Sequence, residues 1–268
     1  MKSVAFEYVK ASGLEDAAVA LQQDGAKVVA GCQSLGPMLN LRLARPSLLI
    51  DITGIGELTK IEERRDTVTL GACITHAAIE DGAVPDPTNG ALPAVAANIA
   101  YRAIRNRGTI GGSLAHADPA ADWPTALMAL GAEAEIVGTK ETRHVPVEDL
   151  VLGAFQTGLA DDEILTSISI PRVSKSARFG FHKFCRKVGE FAEAMCAVLD
   201  DPERGFTRIV VATDSKPVIL DGADLMIREP ETIGDRVAIS GLGGDAYVTQ
   251  LRRAVIRRAI AGMQPLGR

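Results

Sequence analysis

Hydrophobic and polar positions along this chain change period several times, and the changes divide it into elements. LEDAAVALQQ (14–23) repeats apolar residues at helical spacing, with Ser12 and Glu15 spaced as a capping box before it and Gly25 as its stop. KVVA (27–30) then reads as a short buried strand, PMLNLRLA (37–44) as a helix with Pro37 in its first turn, and SLLIDI (47–52) as a second strand. This β–turn–α–β order predicts a small parallel or mixed sheet. DTVTLGAC (66–73) alternates as a strand, THAAIED (75–81) and LPAVAANIAYRAI (92–104) have helical spacing, and PTALMALG (124–131) is a short helix. AEAEIV (132–137) and EILTSISIP (163–171) follow as strands, the latter closed by Pro171. RFGFHKFCRK (178–187) and FTRIVVAT (206–213) read as strands again, and YVTQLRRAVIRRAIAGM (247–263) as a closing amphipathic helix. The pattern predicts two α+β domains, residues 1–173 and 174–268, the first subdivided near residue 53.

Two glycine-rich stretches do not fit the helix and strand periods. AGCQSLG (30–36) lies between a predicted strand and helix, where outward amides and the positive end of the helix dipole make a general anion site. It is neither a GxGxxG nor a Walker motif, and a plain strand–helix turn is its alternative reading. RNRGTIGGSLAHADPAAD (105–122) has related chemistry: Thr109 and Ser113 can donate to phosphate oxygens, and Gly111 and Gly112 permit close approach of a ligand. Asp118 and Asp122 suit a ribose or adenine, or the N-cap of the following helix. His116, Asp118 and Asp122 have the look of metal-ligand spacing, but Pro119 argues against the continuous helix that would align them. Arg105 and Arg107 read first as solvated or carboxylate-paired residues. Further on, Lys183 reads as a surface lysine that near an isoalloxazine would stabilise negative charge, and Phe191 as a core residue or a shield for a ring face.

With 47% hydrophobic and 24% charged residues over 268 positions, the composition is that of a globular protein. A net charge of −5 without a basic tract argues against nucleic-acid binding. The N-terminus lacks a signal-peptide pattern and no segment approaches the roughly 20 apolar residues of a membrane span, so a cytoplasmic location is expected. The four cysteines, Cys32, Cys73, Cys185 and Cys196, lack the spacing of an iron–sulfur or structural zinc site and read as free thiols.

Taken together, AGCQSLGPMLNLRLARP, LGACITHA and RNRGTIGGSLAHADPAADWPTALMALGAE resemble the FAD-binding medium subunit of molybdenum hydroxylases, the carbon monoxide dehydrogenase/xanthine dehydrogenase family. The resemblance extends in order through EILTSISIP, FHKFCRKVGEFA and LRRAVIRRAI. It implies an α+β fold: a two-subdomain FAD-binding domain of the PCMH (vanillyl-alcohol-oxidase-like) type, then a smaller C-terminal α+β domain. It also implies a first pyrophosphate loop of Val28, Val29, Ala30, Gly31, Cys32, Gln33, Ser34 and Leu35, completed by Thr109, Gly112 and Ser113, with Gly108 and Ala100 lining the cofactor. Thr75 and His76 would lie near it, Asp122 would bind the ribose or adenine end with Asp118 close by, and Leu165 would contact the adenine or flavin region. Lys183 would sit near the flavin ring and Phe191 would cover it. The sequence departs from the family at Cys32, where a second glycine is usual, and residues 200–245 read as shorter and less regular than the family's C-terminal domain.

By the same resemblance the chain is an electron-transfer subunit of a heterotrimer. A small subunit with 2Fe–2S clusters would supply electrons, a large molybdopterin subunit would carry out the substrate chemistry, and an external acceptor would receive the electrons. A stand-alone FAD oxidoreductase and a cofactor-free assembly subunit are the alternatives, Cys32 being the residue that keeps the latter open.

Overall fold

The computed structural model describes residues 2–242 and 244–265. The chain opens with β1 (Glu7–Lys10), α1 (Leu14–Leu21), β2 (Ala26–Val29), α2 (Leu35–Asn40) and β3 (Leu48–Asp51). These strands form a parallel sheet in the order β1-β3-β2, and the central β3 buries Leu48, Leu49 and Ile50 before ending at Asp51. The edge strand β1 exposes all four of its residues and carries no alternation, which is why the pattern did not predict it. The expected capping box is absent: Gly13 is the N-cap of α1, and the Ser12 hydroxyl donates to the Asp16 carboxylate. A charged acceptor four residues away has taken the hydroxyl.

The second sheet is antiparallel, in the order β4 (Ile61–Glu63), β5 (Thr67–Gly71), β10 (Ile164–Pro171), β6 (Glu133–Val137) and β7 (Thr142–Pro146). Between β5 and β6 the chain makes five helices: α3 (His76–Glu80), α4 (Ala91–Ala97), α5 (Arg102–Arg105), α6 (Ile110–His116) and α7 (Asp122–Leu130). After them come β6 (Glu133–Val137), β7 (Thr142–Pro146), α8 (Val147–Leu150), the hairpin β8 (Val151–Gly153) and β9 (Gln156–Thr157), and β10 (Ile164–Pro171). The single helix expected over 92–104 is broken between α4 and α5, where Ala100 takes the left-handed conformation at φ +42°. The glycine-rich stretch read as a turn contains α6, capped by the Thr109 hydroxyl, which accepts from the Gly112 amide at 3.1 Å.

All nine residues of α7 are buried. The helix lies between the second sheet and a third, against β10 on one side and β12 and β13 on the other, so it needs no polar face. The third sheet consists of β11 (Arg178–Phe184), β12 (Ala194–Asp201), β13 (Phe206–Val211) and β14 (Val218–Ile219). It is completed by α9 (Ala223–Arg228), α10 (Ile233–Ile239), α11 (Ala246–Ala261) and β15 (Gln264–Pro265), with strand order β14-β13-β12-β11-β15. Among the described residues, the stretch 200–245, which reads as shorter and less regular than the family's C-terminal domain, holds strands β13 and β14 and helices α9 and α10. The central β12 is buried at all eight positions, and its sequence AMCAVLDD gave no periodic signal. Its terminal Asp201 accepts from the Ser174 amide and hydroxyl at 2.9 and 2.6 Å, fixing the segment that leads into the third sheet. One apolar cluster runs from the first sheet through α7 to Phe179, Leu199 and Val210, and a second fills the space between the third sheet and α9–α11.

Candidate functional site

Gly31, at the start of the first glycine turn, lies directly against the backbone of Arg107 and Gly108: a Cβ placed on it would come within 2.7 Å of the Arg107 carbonyl carbon and 2.8 Å of the Gly108 Cα. The second stretch is tied to the segment after β5 by hydrogen bonds from His76 N to Gly108 O (2.9 Å), Ile110 N to Ile74 O (3.0 Å) and Gly111 N to Ala72 O (3.0 Å). The two glycine stretches, far apart in sequence, therefore meet, and a cavity of about 890 Å³ opens where they do. That volume is in the upper part of the range for small-molecule and cofactor sites, roughly 300–1,000 Å³.

The two stretches contribute differently. Among the described residues, the amides of Gly31, Cys32, Gln33 and Ser34 donate to no protein group, and all four residues line the cavity. Cys32 is left-handed at φ +59°, and a left-handed residue within a tight turn aims successive amides towards one point, as an anion requires. The start of α6 has no such amides to spare. Gly111 N is bonded to Ala72, Gly112 N to Thr109 Oγ1 and Ser113 N to Thr109 O, so this stretch offers the Ser113 and Thr109 hydroxyls instead. Gly111 lines the cavity, and its lack of a side chain also lets the chain pass against Ala72, which a Cβ there would strike.

Cys32 carries a side chain where the backbone favours glycine, and that side chain packs beside the small cluster of Val29, Leu39, Ala44 and Leu49 under α2. Burial raises its thiol pKa. Cys32→Gly is expected to change stability by no more than about 1 kcal/mol, because relief of the left-handed strain offsets lost packing and greater freedom of the unfolded chain. It should also leave flavin content unchanged. Denaturant midpoints and the FAD:protein ratio check both.

Also in the cavity wall, Lys183 of β11 and Asp122 of α7 form a buried ion pair with N–O distances of 3.0 and 3.1 Å, and Lys183 Nζ also donates to the Asn98 carbonyl at 3.2 Å. The side chains are 7% and 6% exposed, so Lys183 is not the solvated lysine its strand position first suggests. Burial pushes the Asp122 carboxyl up to about 6 against the pull of Lys183. It remains mostly ionised at neutral pH. Asp122, expected at the ribose or adenine end, and Lys183, expected at the flavin ring, thus occupy one point of the cavity wall. Neither aspartate caps α7, whose N-cap is Ala121. Asp118 accepts from the Ala120 amide at 2.9 Å.

His76 is buried, and its Nδ1 accepts from Trp123 Nε1 at 3.0 Å. The indole is only a donor, so the imidazole proton lies on Nε2, next to Gly108. Burial, assisted by Arg105, lowers the His76 pKa to about 4. The folded state therefore binds this proton less well than the unfolded chain. His76 contributes stability that is present above about pH 6.5 and lost as the pH falls towards 4, on the order of 3 kcal/mol. The raised Asp122 acts in the opposite sense between about pH 4 and 6, flattening the net slope. NMR of the histidine rings should show His76 neutral and Nε2-protonated from pH 8 to 5; a titration near 6.5 would contradict its environment.

Of the residues singled out from the sequence, Val28, Val29, Ala30, Gly31, Cys32, Gln33, Ser34, Leu35, His76, Ala100, Gly108, Thr109, Gly112, Ser113, Asp118, Asp122, Leu165, Lys183 and Phe191 line this one cavity. Thr75 does not: it caps α3, accepting from Ala78 N at 3.2 Å, and bridges to Thr109. Phe191 is 68% exposed on the rim and so is not a core residue. Leu165 precedes a β-bulge at Thr166, a device that redirects side chains near sites. His116 packs its ring against Phe155 at 5.1 Å. Sequence reasoning missed the rim residues Arg186, Glu190 and Glu193, and the Asn98 carbonyl, a backbone group that no side-chain pattern announces.

Residues 4–173 match the sequence pattern of the family described as FAD binding domain in molybdopterin dehydrogenase. The chain belongs to this family. It is 36% identical to the nicotine 6-hydroxylase medium subunit of Paenarthrobacter nicotinovorans, over 97% of this chain and 98% of that one. It is also 36% identical to the carbon monoxide dehydrogenase medium chain of Hydrogenophaga pseudoflava, over 72% and 68% of the two chains. A solved carbon monoxide dehydrogenase from that organism, lacking the Mo-pyranopterin moiety of its cofactor, superposes with a TM-score of 0.88 over 98% of both chains at 30% identity. Quinoline 2-oxidoreductase from Pseudomonas putida 86 gives 0.86 over 97% of both at 29% identity. As a member of the family, the chain is a FAD-binding medium subunit of molybdenum hydroxylase type, an oxidoreductase component with the α+β PCMH-type fold of these relatives. Among the described residues, no helix is long and apolar enough to cross a membrane.

Proposed function

We propose that this chain holds FAD in the cavity between its two glycine stretches and relays electrons within a heterotrimer, from a small 2Fe–2S subunit to an external acceptor. A large molybdopterin subunit would carry out the substrate chemistry. The observation that carries this reading is the set of unpartnered amides at Gly31–Ser34 facing the cavity, whose wall also holds a buried lysine–aspartate pair.

In this reading the amides of Gly31, Cys32, Gln33 and Ser34 and the hydroxyls of Thr109 and Ser113 bind the diphosphate as donors to a dianion. Val28, Val29, Ala30 and Leu35 form the apolar floor, with Ala100, Gly108, Gly112 and Leu165 around it and Asp118 at the margin. Lys183 and Asp122 act together at one end: the ammonium favours added negative charge there, and the carboxylate holds it in place and moderates its effect. Phe191, on the rim, shields that end from water. When bound, FAD supplies the capacity to take up and pass on electrons one or two at a time. The protein's own contribution is to bind, orient and tune.

The relatives' names cite nicotine, carbon monoxide and quinoline while their chains share this fold, which favours a substrate site outside this chain. The test is the visible spectrum of the purified full chain, followed by denaturation and identification of released flavin. Bands near roughly 370 and 450 nm with about one FAD per chain are expected. A chain without flavin after reconstitution with FAD overturns the reading.

A further inference from the structure

We infer that Arg105 is a positioning residue of the cofactor site, bracing the 98–100 turn so that the Asn98 carbonyl holds Lys183 in place. The inference rests on the FAD-binding reading. Arg105 is only 12% exposed, and four of its donated bonds are made: Nε and Nη2 to the two Glu80 oxygens at 2.7 and 2.8 Å, and Nη1 to the carbonyls of Ile99 and Ala100 at 2.9 and 3.1 Å. Ala100 is left-handed at φ +42°, a conformation that costs an alanine free energy unless its surroundings enforce it. Two consecutive carbonyls turned onto one guanidinium nitrogen supply that enforcement.

The brace has consequences on both sides. Ile99 and Ala100 line the cavity, and the preceding Asn98 carbonyl accepts from Lys183 Nζ. Glu80, the anchor, ends α3, whose first residue is His76. A continuous chain of contacts therefore runs from α3 through Glu80, Arg105 and the 98–100 carbonyls to Lys183 and Asp122. Only a planar fork satisfies a bidentate carboxylate and two carbonyls together, so lysine is not a substitute. Neighbouring Arg102 shares Glu80 at 2.8 Å but is 47% exposed and touches no carbonyl of the turn, which makes it the control.

The experiment compares Arg105→Lys, Arg102→Ala and the double variant Arg105→Lys/Ala100→Gly in the full chain, measuring FAD affinity by reconstitution and the flavin midpoint potential by spectroelectrochemistry. Arg105→Lys is expected to weaken FAD binding about tenfold, as when a supporting hydrogen bond is removed. A shifted Lys183 should also move the potential; a tenfold change in relative affinity for oxidised and reduced cofactor corresponds to about 30 mV. Arg102→Ala should leave both near wild type. Ala100→Gly should restore much of the loss, because glycine holds the left-handed turn without a brace.

Wild-type affinity and potential in Arg105→Lys, equal effects of the two arginine variants, or no rescue by Ala100→Gly would each overturn the inference. If Arg105→Lys does not fold, Glu80→Gln, which weakens the same anchor, should reproduce the loss, and unchanged affinity and potential in that variant would overturn it. Failure of the wild-type chain to bind FAD is a separate outcome, since it removes the functional reading itself.

Discussion

Replacing Gly31 with alanine is expected to destabilise the protein by about 3 kcal/mol and to reduce FAD retention at least a hundredfold. The added methyl group would be driven into the main chain of Arg107 and Gly108, which no rotamer change relieves. Backbone on both sides is fixed, by the first sheet behind Gly31 and by the His76–Gly108 and Thr75–Thr109 pairings behind the second stretch. The two stretches separate, and with them the unpartnered amides and the Ser113 hydroxyl that the diphosphate reading brings together. A fall in melting temperature of roughly 6–10 °C is expected for a chain of this size. Gly56→Ala, where a Cβ meets nothing within 4 Å, is the control and should fall within about 0.5 kcal/mol of wild type. If Gly31→Ala matches that control in stability and flavin content, the contact between the stretches is not what builds the site.

Lys183→Met should cost about 3–5 kcal/mol at pH 7.5, because it leaves the Asp122 carboxylate buried without its counter-ion and the Asn98 carbonyl without its donor. The loss should depend on pH in a defined direction. Burial already holds the Asp122 carboxyl up to about 6, and removing Lys183 raises it further. A carboxyl whose folded pKa lies above its unfolded value near 4 binds its proton more tightly in the native state. The penalty is therefore full at high pH and shrinks as the pH falls. Denaturant titrations should show a smaller gap between variant and wild type at pH 5 than at pH 7.5; an equal gap would mean that lost packing, not the stranded charge, is responsible. Lys183→Met/Asp122→Asn should recover much of the stability, since replacing both partners leaves no buried charge, while flavin binding stays impaired.

Much of the site was legible because its chemistry lies in local segments. Hydroxyls and glycines within a few residues of each other, as in AGCQSLG and GTIGGS, are unusual enough to mark a binding loop before any contact is known. The family resemblance extended that reading to Leu165, Lys183 and Phe191, and all three line the cavity with the loop residues. The expectations that failed depended on competition between groups. Ser12 reads as a cap until Asp16 takes its hydroxyl. Thr75 reads as a cofactor contact until its hydroxyl caps α3. In both cases the residue has the right chemistry, and a group three or four residues along the chain takes up its hydroxyl.

The secondary structure divides in the same way. Strands β2, β3, β5, β6, β10, β11 and β13 and helix α11 followed from period and breakers, because each has one face or both in the core and a turn at its end. Strands β1 and β12 escaped, one exposed throughout and the other buried throughout, since neither extreme leaves an alternation to read. The break at Ala100 carries no glycine or proline to announce it; there Ala100 is left-handed and the Ile99 and Ala100 carbonyls accept from Arg105, a residue beyond the break.

By itself, the sequence determined where strands β2, β3, β5, β6, β10, β11 and β13 and helix α11 run, and which two glycine-rich stretches have side chains and backbone suited to an anion, because propensity, period and turn residues act over a few positions of chain. Only the tertiary structure decided which amides stay unpartnered, that Lys183 meets Asp122 rather than solvent, and that Gly31 is needed by its neighbours' backbone. Those outcomes depend on which groups from distant segments arrive first at the same few ångströms of space, and no local rule carries that information.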